Sequence, residues 1–325
     1  MTAIAGYVAP EAKSGDLGVH SLDQFVLSVP DVNVADDFYT NFGLNMVRNG
    51  NSLQLKTFGH DHAWGSVIEG KGSKSLHHLS FGCYAEDIGR LKQRIEDAGV
   101  KLIDPPPGFE SNGFWFRNHE GVLMEIKVAP KVSPDQKADS QWPTVGPGVA
   151  AATTRNQAPP VRPRRLSHVL IFTVDIDASI KFYERTLGLR LSDKASDLVA
   201  FMHGIHGSDH HMLALVKSSA PGFHHCSWDV SSVNDIGLGA MRMHDKGYQK
   251  GWGLGRHVYD VTTRPALLGG NLPEFAIACS HQDQVIVAPD EAEVFLSSGF
   301  TPNAGLAYRN GAAISLQPHP EFDDD

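Results

Sequence analysis

Short runs of alternating apolar and polar residues recur along this chain, and they read as half-buried strands. Gln24 to Asp31 is one, stopped by Pro30; Leu53 to Phe58, Ala63 to Ile68 and Leu76 to Gly82 are others. After the first, Val34 to Phe42 reads as a short helix carrying Phe38 and Tyr39, with Gly43 near its C-cap. Ala85 to Ala98 reads as an amphipathic helix whose buried stripe is Ile88, Leu91 and Ile95, with Val100 just beyond it. Phe114 to Arg117 and Val122 to Val128 are expected to form a hairpin about Asn118-His119-Glu120-Gly121. Pro130 to Arg165 breaks the pattern. It is rich in Pro, Ala, Thr and Gln, poor in aromatics, and reads as a linker.

After the linker the pattern starts again, and this repeat is the strongest organising signal in the chain. Phe38-Tyr39 lies 14 residues after Gln24, and Phe182-Tyr183 lies 14 after His168. His60-Asp61-His62 and then His77-His78 are echoed by Asp209-His210-His211 and then His224-His225. The spans from Gln24 to His78 and from His168 to His225 are 54 and 57 residues, so the two copies have nearly equal length. The helix over 85–98 is echoed by Val233 to Gly247.

The second copy concentrates the chemistry. Leu166 to Phe172, Ser208 to Leu215 and Phe223 to Val230 each place a histidine at the start of, or within, an apolar alternating run, and Gly255 to Asp260 adds His257. Side chains alternate faces along a strand, so histidines on neighbouring strands can point into one cavity. A single histidine in an apolar strand is more often a hydrogen-bonded core residue; the ordered set is what favours a site. His77, His203, His210 and His224 are left as structural or surface residues, Cys226 as core on the face opposite His225, and Tyr39 and Tyr183 as packing residues of their helices.

Composition narrows the field. A length of 325 residues favours about two domains, and an apolar content of 41% suffices for a core. The net charge of −9, part of it the Asp323-Asp324-Asp325 tail, is the wrong sign for a nucleic-acid surface. Cys83, Cys226 and Cys279 form no disulfide framework, which suggests a reducing compartment. No apolar run is long enough to span a membrane, and Met1 to Gly15 has no signal pattern. A soluble, cytoplasmic protein is expected, with no nucleic-acid or membrane partner.

These residues resemble the vicinal oxygen chelate superfamily, which includes glyoxalases and bleomycin resistance proteins. More narrowly they resemble its two-domain type I extradiol ring-cleavage dioxygenases. The resemblance covers roughly residues 20 to 260. It is carried by Leu166-Ser167-His168 with Phe182-Tyr183, the His210-His211 and His224-His225 pairs 14 residues apart, and Gly255-Arg256-His257 with Asp260. It implies an α+β fold of tandem βαβββ modules, with the active site in the second domain and Gln24 standing where that domain has His168. It implies an extradiol dioxygenase that inserts O2 into a catechol-type aromatic at an Fe(II) centre, with Mn(II) as the other metal, and a homo-oligomer.

By this resemblance the metal is held by His168, His225 and Glu274; two imidazoles and one carboxylate on one face leave the other open to substrate and O2. His211 is assigned as the acid/base for the substrate hydroxyl, and His257 and Asp260 as residues that hydrogen-bond substrate and orient the site. His78 with Glu125 keeps a remnant of the site in the first copy.

The family closes its site with an Asp-Pro-x-Gly-x-x-x-Glu hairpin. After Asp260 only Gly270 and Glu274 keep the Gly-x-x-x-Glu part, 49 residues beyond His225, and Pro273 is awkward in a central strand. The remainder is similar to the tail of class I glutamine amidotransferases: Ser280-His281-Gln282-Asp283-Gln284, Ala304 to Tyr308, and His319-Pro320-Glu321. No nucleophile elbow accompanies them, so amide hydrolysis is not expected from this chain alone. The expected organisation is a lead-in over 1–20, an N-terminal module over 21–129, a linker over 130–165, a truncated catalytic module over 166–260 and an amidotransferase-like segment over 261–325. The rival readings are a degraded module that binds an aromatic without turnover, and a fusion carrying an incomplete amidotransferase. A glyoxalase-type isomerase is disfavoured by Gly255-Arg256-His257 with His211.

Overall fold

The structure is a computed structural model that describes residues 15–132, 147–148, 160–248, 255–261, 274–279, 287–298, 301–309 and 312–316. For 255–261 and 274–279 it describes the backbone alone. The chain forms two compact units, 1–142 with 161–231, and 143–160 with 232–325.

The first unit is built from βαβββ motifs. β1 (Ser21–Val29), α1 (Val32–Phe42), β2 (Asn45–Asn49), β3 (Ser52–Lys56) and β4 (Ala63–Glu69) make one, with β1 parallel to β4. β5 (Ser75–Cys83), α2 (Ile88–Asp97), β6 (Leu102–Ile103), β7 (Phe114–Arg117) and β8 (Leu123–Val128) make the next, with β5 parallel to β8. Antiparallel pairing of β1 with β5 joins them into one eight-stranded sheet, ordered β2-β3-β4-β1-β5-β8-β7-β6. β9 (Arg165–Thr173), α3 (Ile176–Leu187), β10 (Arg190–Ala195), β11 (Val199–His203) and β12 (Leu213–Lys217) repeat the motif, with β9 parallel to β12. β13 (Gly222–Asp229) then pairs antiparallel with β9 and ends a sheet ordered β10-β11-β12-β9-β13.

The repeat extends to helix signals. Asp31 and Asp175 have extended backbones and accept from the Asn33 and Ala178 amides, satisfying donors that each helix start leaves open. Gly43 and Gly188 close the same helices at φ 110° and 72°, where a side chain is strained. At Gly43 a Cβ would also meet the Val161 carbonyl oxygen at 2.2 Å.

Both copies feed one core, which contains Phe25, Trp64, Phe81 and Leu91 from the first and Val169, Ile171, Tyr183 and Leu213 from the second. Phe25 stacks on Phe223 at 5.8 Å between ring centroids. Polar ties run alongside. Asn118 Nδ2 donates to the buried Tyr183 hydroxyl, and the Glu120 carboxylate accepts from Thr173 Oγ1 and the Val174 amide. Arg94 donates to the carbonyls of Leu17, Glu184 and Arg185, closing the end of α3.

The second unit contains α4 (Val233–Asp245), which starts with a Ser232–Asp235 capping box. Its sheet is ordered β15-β14-β16-β17-β18, from β14 (Gly255–Val261), β15 (Glu274–Cys279), β16 (Ala292–Ser297), β17 (Gly305–Tyr308) and β18 (Ala313–Leu316). Phe295, Leu296, Ala304 and Ala307 form its small described core.

Several expectations change. Residues 208–212 precede β12, so His210 and His211 sit on a loop and not on a strand. β2, β10 and β11 were not marked by the alternation; β2 has no buried residue and β10 is mostly exposed. Gly270 and Pro273 lie outside the described residues, which resume at Glu274, the first residue of β15. Most of the 130–165 linker, and His281, His319 and Glu321, lie outside the described residues.

Candidate metal centre

β9 and β13 carry the site. Their register sets His168 opposite Ser227 and His225 opposite Leu170. The pairing is irregular between Phe223 and His225 and again between Ser227 and Trp228; such bulges re-aim side chains. The His168 and His225 ring centroids are 5.5 Å apart at 70°. The His211 ring lies 4.1 Å from His168 and 4.8 Å from Phe201.

His211 reaches this place because its loop is anchored. The Asp209 carboxylate takes two bonds from the buried Arg165 guanidinium, at 2.5 and 2.9 Å, and one from Ser167 Oγ. Arg164 binds Asp229 at 2.7 Å and also donates to the Val230 carbonyl. These paired charges fasten the start of β9 to the 208–212 loop and to the end of β13. Such two-pronged pairs fix geometry as well as charge.

Burial disfavours the charged form of all three imidazoles. Burial, and then the His211 and His225 rings, push His168 down to about 3. Burial, and then His210, push His211 down to about 4. Burial, and then His224, lower His225. A buried histidine loses its charged form first, and the neutral ring keeps a lone pair. His225 Nδ1 pairs with His224 Nδ1 at 2.7 Å, and His211 Nδ1 with His210 Nδ1 at 3.1 Å. In each pair one Nδ1 donates and the other accepts, and the ring whose Nδ1 donates keeps a lone pair on Nε2.

Among the described residues, no three His, Cys, Asp or Glu side chains come close enough to hold a metal. The donor chemistry of the pair fits one: neutral imidazoles on adjacent strands suit a first-row divalent ion. The backbone sets Glu274 opposite Asp260 across β15 and β14, with His257 also on β14. The side chains of His257, Asp260 and Glu274 lie outside the described residues.

The first copy has the same register with other residues. Gln24 faces Ser80, as His168 faces Ser227; Val26 faces His78, as Leu170 faces His225. β5 continues to β8, where Ser80 faces Glu125 and donates to its carboxylate. Lys127 Nζ lies 2.8 Å from Asp23 and 3.8 Å from Glu125. Arg165, Asp209, Asp23 and Lys127 were missed in the sequence. The Arg164-Arg165 pair directly before Leu166-Ser167-His168, and Asp209 two residues before His211, were the available signals.

Residues 21–126 and 165–264 match the glyoxalase/bleomycin resistance protein/dioxygenase superfamily. The chain is 43% identical over 240 residues to metapyrocatechase 2 of Cupriavidus necator, covering 74% of each. It is 32% identical over 109 residues to an iron-dependent extradiol dioxygenase of Rhodococcus jostii (strain RHA1), covering 30% of this chain and 36% of that one. The fold is similar to that of the Mn(II)-bound glyoxalase from Novosphingobium aromaticivorans, with a TM-score of 0.57 at 22% identity over 81% of this chain and 79% of the other.

Proposed function

The chain belongs to the glyoxalase/bleomycin resistance protein/dioxygenase superfamily, and we propose that within it this protein is an extradiol ring-cleavage dioxygenase. The observation that carries the reading is the neutral His168–His225 pair on adjacent strands with His211 held against it. The substrate is an aromatic diol, with O2 as the second reactant, and the reaction requires a metal. The finer assignment is Fe(II), with Mn(II) able to replace it, held by His168 Nε2, His225 Nε2 and the Glu274 carboxylate.

When bound by these residues, that metal would supply a Lewis-acidic centre for the oxygens of a catechol and for O2. His168 and His225 offer lone pairs because burial keeps them unprotonated at neutral pH. His211 takes the proton of a substrate hydroxyl at Nε2 in the tautomer whose Nδ1–H donates to His210. Asp209 and Arg165 hold the His211 loop during that transfer. His257 and Asp260 bind the substrate oxygens. A cytoplasmic setting and a homo-oligomer belong to the same reading; among the described residues no helix is long and apolar enough to cross a membrane.

Oxygen uptake tests the function. Protein loaded anaerobically with Fe(II) is mixed with a panel of catechols. A yellow ring-opened product from the parent chain, and none from His168→Ala, is the expected result. Catechol binding without oxygen uptake, by folded and metal-loaded protein, would replace this reading with that of a module that binds an aromatic without turnover.

A further inference from the structure

Ring cleavage does not use the seam where α2 of the first copy meets α3 of the second. An open groove of about 460 Å³ lies there. Its cations are Lys101, Arg117 and Arg185, and no acidic side chain lines it. Val100, Ile103 and Phe182 supply an apolar wall. His119 Nε2 pairs with Ser179 Oγ at 3.0 Å, and its ring lies 4.9 Å from that of Phe182. The neighbouring Glu120 carboxylate is taken up by Thr173 Oγ1 and the Val174 amide. A second groove, of about 540 Å³, shares Arg185 and Ala98 with the first and adds Arg90 and Arg94 against one acid, Asp97. The whole chain carries a net charge of −9, so this gathering of cations is local.

Cations near the end of a helix commonly answer its free carbonyls. Here those carbonyls are already answered. Arg94 donates to the carbonyls of Glu184 and Arg185 near the end of α3. At the end of α2 the amides of Ala98, Gly99 and Val100 bond the carbonyls of Arg94, Glu96 and Ile95. Arg117 spends one nitrogen on the Gly121 carbonyl. Arg185 and Lys101 have no hydrogen-bond or ion-pair partner among the described residues. Like charges gathered in a groove focus their field and draw in an anion. A guanidinium takes a carboxylate through two parallel bonds, and an apolar wall lets a hydrophobic body leave water. A cleft of this volume, apolar with a few polar groups, is the form that small-molecule sites take. We propose that this groove binds a small organic acid, with its carboxylate on Arg185 and Lys101 and its apolar body against Phe182, Val100 and Ile103. Because α2 and α3 belong to different copies of the repeat, the ligand ties the two together. The site shares no residue with the metal centre, so neither assignment depends on the other.

The test titrates the full, metal-free chain with 2-naphthoate by calorimetry, beside neutral 2-naphthamide and inorganic phosphate. The acid should bind and raise the melting temperature. The amide lacks the charge and phosphate lacks the apolar body, so each should bind at least about tenfold more weakly. Arg185→Gln with Lys101→Gln, both exposed side chains, should weaken the acid by about tenfold or more. Lys71→Gln with Lys74→Gln removes the same charge from an exposed loop elsewhere and should leave its affinity within about twofold. No binding by the folded parent chain at millimolar acid would overturn the proposal. So would undiminished binding in the Arg185 and Lys101 double variant, or an equal loss in both double variants, which would mean that net charge alone is felt. Amide or phosphate binding as tight as that of the acid would replace the organic-acid site with an apolar or an inorganic-anion one.

Discussion

The two copies of the repeat share a backbone and differ in what they put on it. In both, a first strand pairs parallel with the fourth and antiparallel with the strand that opens the next motif. In both, the residue pairs that face each other across that junction stand in the same register. In the first copy the positions hold Gln24, His78 and Ser80, and β8 continues the sheet beyond β5 with Glu125 near Lys127. In the second they hold His168, His225 and Ser227, and among the described residues β13 is an edge strand. The comparison separates scaffold from chemistry. Caps, glycines and core residues recur in both copies, whereas an imidazole at the first-strand position occurs in one.

The largest expected effect sharpens that difference. His168→Ala or His225→Ala removes a proposed ligand, and ring cleavage should fall by more than the roughly 10–100-fold that losing an outer partner of a metal ligand brings. Metal content should fall with it. His78→Ala, the matching change in the first copy, is expected to leave activity per folded molecule within about twofold while lowering stability, because His78 is buried against Trp115 and Phe109. Oxygen uptake and denaturant titration on the same samples check both. Equal activity losses in the two copies would break the division.

Next is the anchor of the His211 loop. Arg165→Met leaves Asp209 without its two-pronged partner, in a site where Arg165 is nearly fully buried. Removing one member of such a pair costs about 3–5 kcal/mol. Arg165→Met with Asp209→Asn should be less damaging than the single change, since no unpaired charge remains. A double-mutant cycle in urea reads the coupling. A zero coupling energy would remove Asp209 as the residue that places His211.

Acid should act on both copies in the same direction. Burial, and then His77 and Lys127, push His78 down to about 3, and burial pushes His168 to about 3 and His20 to about 4. In the unfolded chain each would titrate near about 6.5. Between that value and the folded ones, the unfolded state binds protons that the folded state does not. Stability is therefore full above about pH 6.5 and is lost as pH falls toward about 3 to 4, by roughly 1 kcal/mol per group for the first unit below 6.5. Urea midpoints of metal-free protein at pH 7.5 and 5.5 measure it. His78→Leu should flatten part of the slope; an unchanged slope would mean that His78 is not neutral when folded.

How much of this was legible in the sequence follows from the same physics. The spacing of Phe38-Tyr39 and Phe182-Tyr183, the Asp and Gly caps, and the alternating runs come from local rules, so the repeat and the strands β1, β3, β4, β5, β9 and β13 were readable. β2 and β10 were not, because they bury no or almost no side chains and leave no alternation to see. His211 was placed on a strand because the apolar run Met212 to Leu215 follows it. Its loop is held instead by Arg165, 44 residues earlier, through Asp209. The Lys127 cluster was invisible for the same reason: its partner Asp23 lies on β1, at the other end of the motif pair. Glu274, His257 and Asp260 were readable in the sequence through the family resemblance alone, and their side chains lie outside the described residues.

The smallest effect tests whether the scaffold halves are equivalent. Asp31 and Asp175 cap α1 and α3 through one amide each, Asn33 at 2.8 Å and Ala178 at 2.9 Å. Alanine at either position removes the acceptor and should cost about 1 kcal/mol. The second site has extra support: Glu120 accepts from the Val174 amide at 2.7 Å, placing another carboxylate near the start of α3. That carboxylate keeps negative charge near the positive end of the helix after Asp175 is gone, which is worth about 0.3–1 kcal/mol. Asp175→Ala should therefore be the milder change, by a few tenths of a kcal/mol, and Glu120→Gln should bring the two losses level. Thermal melts of the three single variants and of Asp175→Ala with Glu120→Gln give the comparison. If Asp31→Ala proves the milder change, α1 has support that its capping geometry does not display, and the two helices are not interchangeable parts of one repeat.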